Sequence, residues 1–548
     1  MRRASLFLWF SLVLFLGGTA FANQLWEDAI EGMIGNLGQV EWTHRVEVAD
    51  LNGDGLPDLL FANGPNYSSP GTPEVNRAFL NRPPAEIPAG EPRFVEVTED
   101  VFGKTPDISR VIKARDIDSD GDMDIFVGTA FHKGPSRLYL GNGDGTFEEV
   151  TKTNLSEVAG IPQTTSVGDA EFGDVNGDGH LDIVLANWGK GNPCVAGVAP
   201  CGATVKNASE GGRVLLWLGD GKGAFKSATA TNMPETLIRW SWDLELLDID
   251  NDADLDIAIS SKGESGSFLF ENDGAGNFTD VTGAGTPNER MPQFGNNYEF
   301  EPIDFNGDGF WDLLTLNDGK VIQAPFNVAE HVFSNNQKGG FNNVTGDVWP
   351  EAQNIGEDDN AIVVLDFDSD GDPDFLVASL FGGLDRLLVN KGASFELKAD
   401  AIPADPKTDG SLGIAVADLD GDGRLDIVQS QGEAQFASEK IFLANSNYAK
   451  DTAKPIVSLL SAKKSIGQNT VSVVARIHDN KTPVVATDFS ADPVVSVTEA
   501  SGLEKAFPLR WVGGSLWRAE VPSIENSNFS VCATDASGNS TCTAKMEF

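Results

Sequence analysis

Seven copies of one nine-residue pattern, D-x-[DN]-x-D-x-x-x-D, constrain this chain more than any other feature in it. The copies read DLNGDGLPD, DIDSDGDMD, DVNGDGHLD, DIDNDADLD, DFNGDGFWD, DFDSDGDPD and DLDGDGRLD, at intervals of 52–74 residues. One copy would be an ordinary turn, because Asp, Asn and Gly are what turns select. Seven in one register point to a shared job: positions 1, 3, 5 and 9 are Asp throughout, save Asn at position 3 of three copies. Each loop offers four oxygen-bearing side chains to one hard cation. The first four sets are Asp50, Asn52, Asp54 and Asp58; Asp116, Asp118, Asp120 and Asp124; Asp174, Asn176, Asp178 and Asp182; Asp248, Asp250, Asp252 and Asp256. The last three are Asp304, Asn306, Asp308 and Asp312; Asp366, Asp368, Asp370 and Asp374; Asp418, Asp420, Asp422 and Asp426.

Calcium suits this chemistry. It takes about six to eight oxygen ligands in a flexible shell, which alternate residues of a tight loop can supply. Magnesium keeps its waters in a stricter octahedron and suits it less well. Position 7 ranges from Leu56 through His180 to Arg424, as expected if it lends only its carbonyl. Gly at position 6 permits the sharp turn, and Ala253 replaces it in the fourth copy alone. A left-handed backbone there would cost Ala about 1–2 kcal/mol, making the fourth the weakest of up to seven calcium sites.

Each loop lies between two strand-like runs, such as VEVA, LELL or GIAVA before it and LLFAN, IVLAN or FLVAS after it. These runs are aliphatic, β-branched and too short for helices. A later hairpin follows in most copies, clearest in RLYLGNGDGTFEEVT, residues 137–151. Four strands per copy predict an all-β fold: a seven-bladed β-propeller with calcium-binding loops, each sheet buried between its neighbours. The last copy lacks a fourth strand after KIFLANSN, and QLWEDAI (Gln24–Ile30) resembles the usual one. The N-terminal segment is therefore expected to complete the last blade and hide its edge.

The stretch AEFGDVNGDGHLDIVLAN followed by LGDGKGAF resembles the FG-GAP or VCBS-type repeat, related to the propeller of integrin α subunits. The likeness covers about residues 42–450. It implies a seven-bladed propeller with calcium between the first and second strands of each blade. The "GAP" half of the family pattern is not evident, and the fourth copy lacks its Gly. The family includes adhesion and polysaccharide-acting proteins, so the resemblance speaks to fold more than to function.

From residue 451 the repeat stops, and no Asp cage follows. The runs PIVSLL, TVSVVARI, VVSVTE, FPLRWV, LWRAEV, FSVCAT and TCTAKMEF predict an Ig-like β-sandwich over 451–548. VCATDASGNSTC resembles the last hairpin of bacterial Ig-like modules, and Trp511 and Trp517 are expected in the core. At the other end, Arg2 and Arg3 precede the apolar run Leu6–Leu16 and Ala20-Phe21-Ala22. This reads as a signal peptide over 1–22, leaving 23–450 for the propeller. The run is short for a membrane span, and no later stretch approaches one, so no integral membrane segment is expected after cleavage. Secretion, to the periplasm, medium or cell surface, would place the chain where disulfides form. Pairing Cys194 with Cys201 and Cys532 with Cys542 is the simplest of three connectivities.

Acidic residues number 82 against 39 Lys and Arg, a formal charge of −43, which argues against nucleic acid as a partner. No nucleophile elbow, H-E-x-x-H or dinucleotide-binding Gly motif occurs, so no catalytic residue is named. Two functions remain: a scaffold for a glycan or extracellular protein ligand, or a carbohydrate-active lyase or hydrolase on the same frame. The ligand is expected at the mouth opposite the Asp loops. There the segments leading into the first strands bring Trp42, His44, Arg45, Arg110, Arg239, Trp240, Trp242 and Tyr298, answered by Asp358 and Asp359. Trp offers a sugar a flat apolar face, and Arg offers paired hydrogen bonds.

Overall fold

The computed structural model describes residues 24–35, 41–64, 71–130, 136–156, 166–189, 211–262, 266–294, 297–317, 319, 329–380, 385–392, 394–403, 410–432, 436–464, 469–479, 481–484 and 488–547. Strand makes up 47% of it and helix 6%, so the fold is all-β.

Each Asp-rich loop is the turn of a hairpin. The first strands are Thr43–Ala49, Ser109–Arg115, Val167–Gly173, Ser241–Leu247, Asn297–Ile303, Asp359–Leu365 and Ser411–Ala417. Every second strand begins at the position-9 Asp, from Asp58–Asn63 to Asp426–Gln431. Position 9 faces the last residue of the first strand, as Asp58 faces Ala49. Third and fourth strands extend each hairpin into a four-stranded unit. In six units the strands are consecutive in sequence. In the last, the fourth strand is the N-terminal Trp26–Asp28, antiparallel to Lys440–Ala444 with Trp26 opposite Ala444.

Apolar layers between the sheets carry the packing. One holds Leu60 and Ala62 of the first unit against Ile112, Ile125 and Val127 of the second. The first strands touch in chain order, and Ser411–Ala417 touches Thr43–Ala49. An Asn at the end of the third strand ties several units to the one before: Asn272 Nδ2 donates to Val175 O at 2.8 Å, and Asn335 Nδ2 to Ile249 O at 2.8 Å.

The described residues of 456–547 form two layers around a shared core of Val473, Ile477, Val495, Val497, Trp517 and Val531: one is a separate five-stranded sheet, and the other is four strands that continue the third unit's sheet into an eight-stranded one. The run FPLRWV, expected as one strand, is two. Glu504–Pro508 and Arg510–Gly513 belong to different sheets, with Leu509 buried at the crossing between them. Trp517 is in the core, while Trp511 packs half-buried at its margin.

This C-terminal module lies against the Asp-loop ends of the repeat units. Gly513 pairs with Gly173, and Asp174 N donates to Val512 O at 2.8 Å. Arg476 donates to Gly309 O at 2.6 Å, Arg510 to Ser119 Oγ, and Arg518 to Asp174 Oδ2 at 2.8 Å. The approach depends on two glycines: a Cβ on Gly513 would stand 2.7 Å from the Gly173 Cα.

Candidate functional site

The metal-binding potential of the loops starts with their backbone. Position 6 is left-handed in all seven, with φ from +81° at Gly55 to +100° at Gly121, and Ala253 adopts +78°. Position 4 is left-handed as well, at Gly53, Ser119, Gly177, Asn251, Gly307, Ser369 and Gly421. The second constraint went unread, although Gly, Ser and Asn at one position are a signal for it. These two residues turn successive amides inward onto position 1. Asp54 N donates to Asp50 Oδ1 at 3.1 Å and Gly55 N to Asp50 Oδ2 at 2.8 Å. In the last loop Asp422 N and Gly423 N do the same to Asp418, at 2.9 and 2.8 Å.

Position 9 is buried and anchors the loop to the third strand. Asp58 accepts from Leu51 N at 2.8 Å and Asn81 N at 2.7 Å; Asp426 accepts from Leu419 N at 2.9 Å and Ala444 N at 2.7 Å. Position 5 lies nearer solvent, where Asp54 and Asp120 each accept the amide two residues on, at 2.9 Å. Oxygens of positions 1, 3 and 9 converge within 4.8 Å of one another in Asp116/Asp118/Asp124, Asp248/Asp250/Asp256, Asp366/Asp368/Asp374 and Asp418/Asp420/Asp426. The other three loops carry Asn52, Asn176 and Asn306 at position 3.

These carboxylates fit a cation. Asp116 Oδ1, Asp118 Oδ1, Asp174 Oδ1, Asp368 Oδ1 and Asp422 Oδ1 are buried with no hydrogen-bond donor among the described residues. Burial, opposed in part by backbone donors, pushes Asp58 and Asp426 up to about 8 and Asp256 up to about 9, with neighbouring carboxylates adding to the rise. Such groups must share protons or take up a positive ion. The donor set is oxygen alone, the preference of a hard divalent cation, and these Asp-rich loops can hold metal ions.

At the far end of each first strand the pairing slips. The residues left out of register include His44, Arg110, Trp242, Tyr298 and Asn360, each at a β-bulge. A bulge re-aims the side chain it carries, and four of these are residues singled out from sequence. They form an arc. His44 Nδ1 lies 3.5 Å from Arg110 Nη1, and the Arg110 guanidinium lies 3.8 Å over Trp242 and 4.8 Å over Trp188. Trp188 and Trp242 stack at 4.9 Å, Tyr298 follows at 4.8 Å, and Lys262 Nζ sits 4.2 Å from the Tyr298 ring. Trp188 and Lys262 were missed. Each stands one residue beyond a second strand, which the hairpin returns to the same mouth.

The arc is buried, as are Trp42 and Trp240. Burial, with Arg110 and Arg45 nearby, holds His44 well below its usual range. The rim is more accessible: Phe436, 49% exposed, lies edge-on to Trp42 at 6.1 Å, and Arg239 is half-buried. Arg45 is outside the arc and pairs with Glu299 at 3.1 Å and Asp243 at 3.8 Å. Asp359 pairs with Arg386 at 2.5 Å.

Between the two ends the first strands enclose a cavity of about 150 Å³ lined by charged residues at alternate positions. Arg115 pairs with Glu47 at 2.5 Å and Lys113 pairs with Glu171. Thr482 of the C-terminal module donates its hydroxyl to Glu301 at the loop end of this cavity. Cys532 and Cys542 form a disulfide, while Cys194 and Cys201 lie outside the described residues. No described helix is long and apolar enough to cross a membrane.

Comparison with known proteins bears on the repeats. The FG-GAP-like repeat family matches residues 116–185, 248–315, 304–377 and 366–428. Cartilage acidic protein 1 of Xenopus tropicalis is 30% identical over 148 residues, 26% of this chain and 20% of that protein. Integrin alpha pat-2 of Caenorhabditis briggsae is 25% identical over 214 residues, 35% of this chain and 17% of that protein. The chain thus matches about a fifth of the length of these relatives. Among solved structures, an Agrocybe aegerita lectin described as recognising non-reducing terminal N-acetylglucosamine aligns at a TM-score of 0.43 and 17% identity, over 67% of this chain and 84% of its own. Four matched segments, each starting at position 1 of an Asp loop, show that the chain carries FG-GAP-like repeats.

Proposed function

We propose that this chain is an exported ligand-binding scaffold: a closed seven-bladed propeller, stabilised by up to seven calcium ions, with an Ig-like module on its loop face. The ring of touching first strands and the N-terminal strand in the last sheet support closure. Two sheets around one core support the sandwich, and the disulfide accords with export. The ligand, a glycan or an extracellular protein, binds at the mouth opposite the Asp loops.

One observation carries that placement. The C-terminal module contacts the loop ends through Gly513, Arg476, Arg510 and Arg518, whereas the far mouth has the exposed Phe436 beside Trp42, with Arg239 leading into a first strand there. An apolar rim with a cation suits a sugar face or a protein side chain, with the buried arc as its rigid support.

The test is a panel of glycans and extracellular proteins, assayed for binding and turnover with and without calcium. Retention without turnover is expected, reduced at least tenfold by Arg239→Ala with Phe436→Ala in a folded protein. Unchanged binding by that variant would move the site elsewhere. Turnover of a polysaccharide would replace the scaffold with an enzyme.

A further inference from the structure

Three carboxylates outside the repeat loops meet where the C-terminal module joins the last unit. Asp451 lies in the connecting segment, Asp479 directly follows the strand Thr470–His478, and Asp535 opens the turn before Ser540–Cys542. One oxygen from each lies within 4.8 Å of the other two.

Their surroundings are built rather than incidental. Asp451 N donates to Gly423 O of the seventh loop at 3.1 Å, fixing the connecting segment. Asp535 N donates to Asn539 O at 3.0 Å, and Asn539 N returns to Asp535 Oδ1 at 2.7 Å, fixing the turn. Asp535 is fully buried, yet its Oδ2 has no donor among the described residues. Asp479 Oδ1 is buried and undonated as well. Lys481, the cation beside Asp479, is engaged by Asp488 at 2.9 Å and by Pro483 O at 3.2 Å. Three acidic groups therefore converge with two orphaned buried oxygens and, among the described residues, no ion pair of their own. A carboxylate removed from water needs a positive partner or a proton, and a single proton among the three would still leave two negative charges together.

We propose that Asp451, Asp479 and Asp535 bind a divalent cation, calcium, that staples the C-terminal module to the last repeat unit. The ligands are all hard oxygens with no nitrogen or sulfur donor in the set, which favours calcium over the transition metals. Because the three come from separate segments, the ion would fix the connecting segment, the end of the interior strand Thr470–His478 and the last hairpin together. The site shares no ligand with the seven Asp loops and does not depend on their being filled.

Native mass spectrometry of the full chain in calcium counts the ions. Asp479→Asn with Asp535→Asn should bind one ion fewer than wild type, and calcium should no longer protect residues 449–455 from protease. An unchanged ion count would overturn the proposal. Wild-type crystals soaked in terbium give a second reading that needs no variant. An anomalous peak among the three carboxylates is expected; peaks at the repeat loops with none at the junction would contradict the site. Loops without ions but a filled junction would instead count against calcium in the repeats.

Discussion

Arg518 Nη1 donates to Asp174 Oδ2 at 2.8 Å, joining the C-terminal module to position 1 of the third Asp loop. Asp174 is almost wholly buried and Arg518 about one-fifth exposed. Docking of the module and the charge of the loop are thus linked through one carboxylate. Arg518→Ala should cost about 1.5–3 kcal/mol, the range for a hydrogen bond to a charged group, measured by denaturant unfolding. A loss within error would mean that the contact contributes nothing.

The glycine pair predicts a larger effect on domain arrangement. Gly513 has φ +117° and nearly touches Gly173, so Gly513→Ala pushes the module from the loop face. Small-angle scattering should show an expanded particle, with the repeat units intact by circular dichroism. A wild-type scattering curve would contradict the docking.

Trp26 is fully buried, donates through Nε1 to Leu425 O at 2.8 Å and meets the Tyr448 ring at 5.3 Å. Trp26→Ala should cost about 3–5 kcal/mol. The loss should appear in the cooperative unfolding of all the repeat units, since this strand covers the edge of the last sheet. A local effect confined to the termini would argue against a clasp.

Ala253 bears strain that the other loops avoid with Gly. Ala253→Gly should relieve about 1–2 kcal/mol and tighten the weakest calcium step in a calorimetric titration. An unaltered titration would place the weakest site elsewhere.

The buried loop carboxylates set a pH dependence with a definite sign. Asp366 is raised to about 6, Asp124 to about 7, Asp58 to about 8 and Asp256 to about 9, all chiefly by burial. A raised folded-state value favours the protonated folded form. In calcium-free protein this contribution is fully present below about pH 4 and lost as pH climbs through about 6–9. Calcium competes with those protons, so its stabilisation should grow over the same range. Melting curves with and without calcium should therefore diverge as pH rises from 5 to about 9; parallel curves would refute the competition.

The Asp loops were legible because their chemistry repeats in one register, and the N-terminal strand because QLWEDAI copies a recurring element. Other features show only when the copies are aligned or when distant segments meet. The left-handed Ser119 and Asn251 are signalled only when all seven copies are aligned by position. The bulges at His44 and Arg110 follow from pairing, which strand-like composition does not encode. Docking on the loop face rests on Gly173 meeting Gly513, hundreds of residues apart. The junction of Asp451, Asp479 and Asp535 escaped because no local spacing relates them, and FPLRWV split because Leu509 is claimed by the core.

Calcium as the organiser of the repeats is tested most directly by thermal unfolding of the whole chain, in excess calcium and after exhaustive chelation at neutral pH. A site held at about 100 times its dissociation constant adds about 2.7 kcal/mol. With several such sites, chelation should lower the melting temperature by about 10 °C or more. Superimposable curves would mean that the Asp loops are folded and stable without the ion, contradicting the account at its centre.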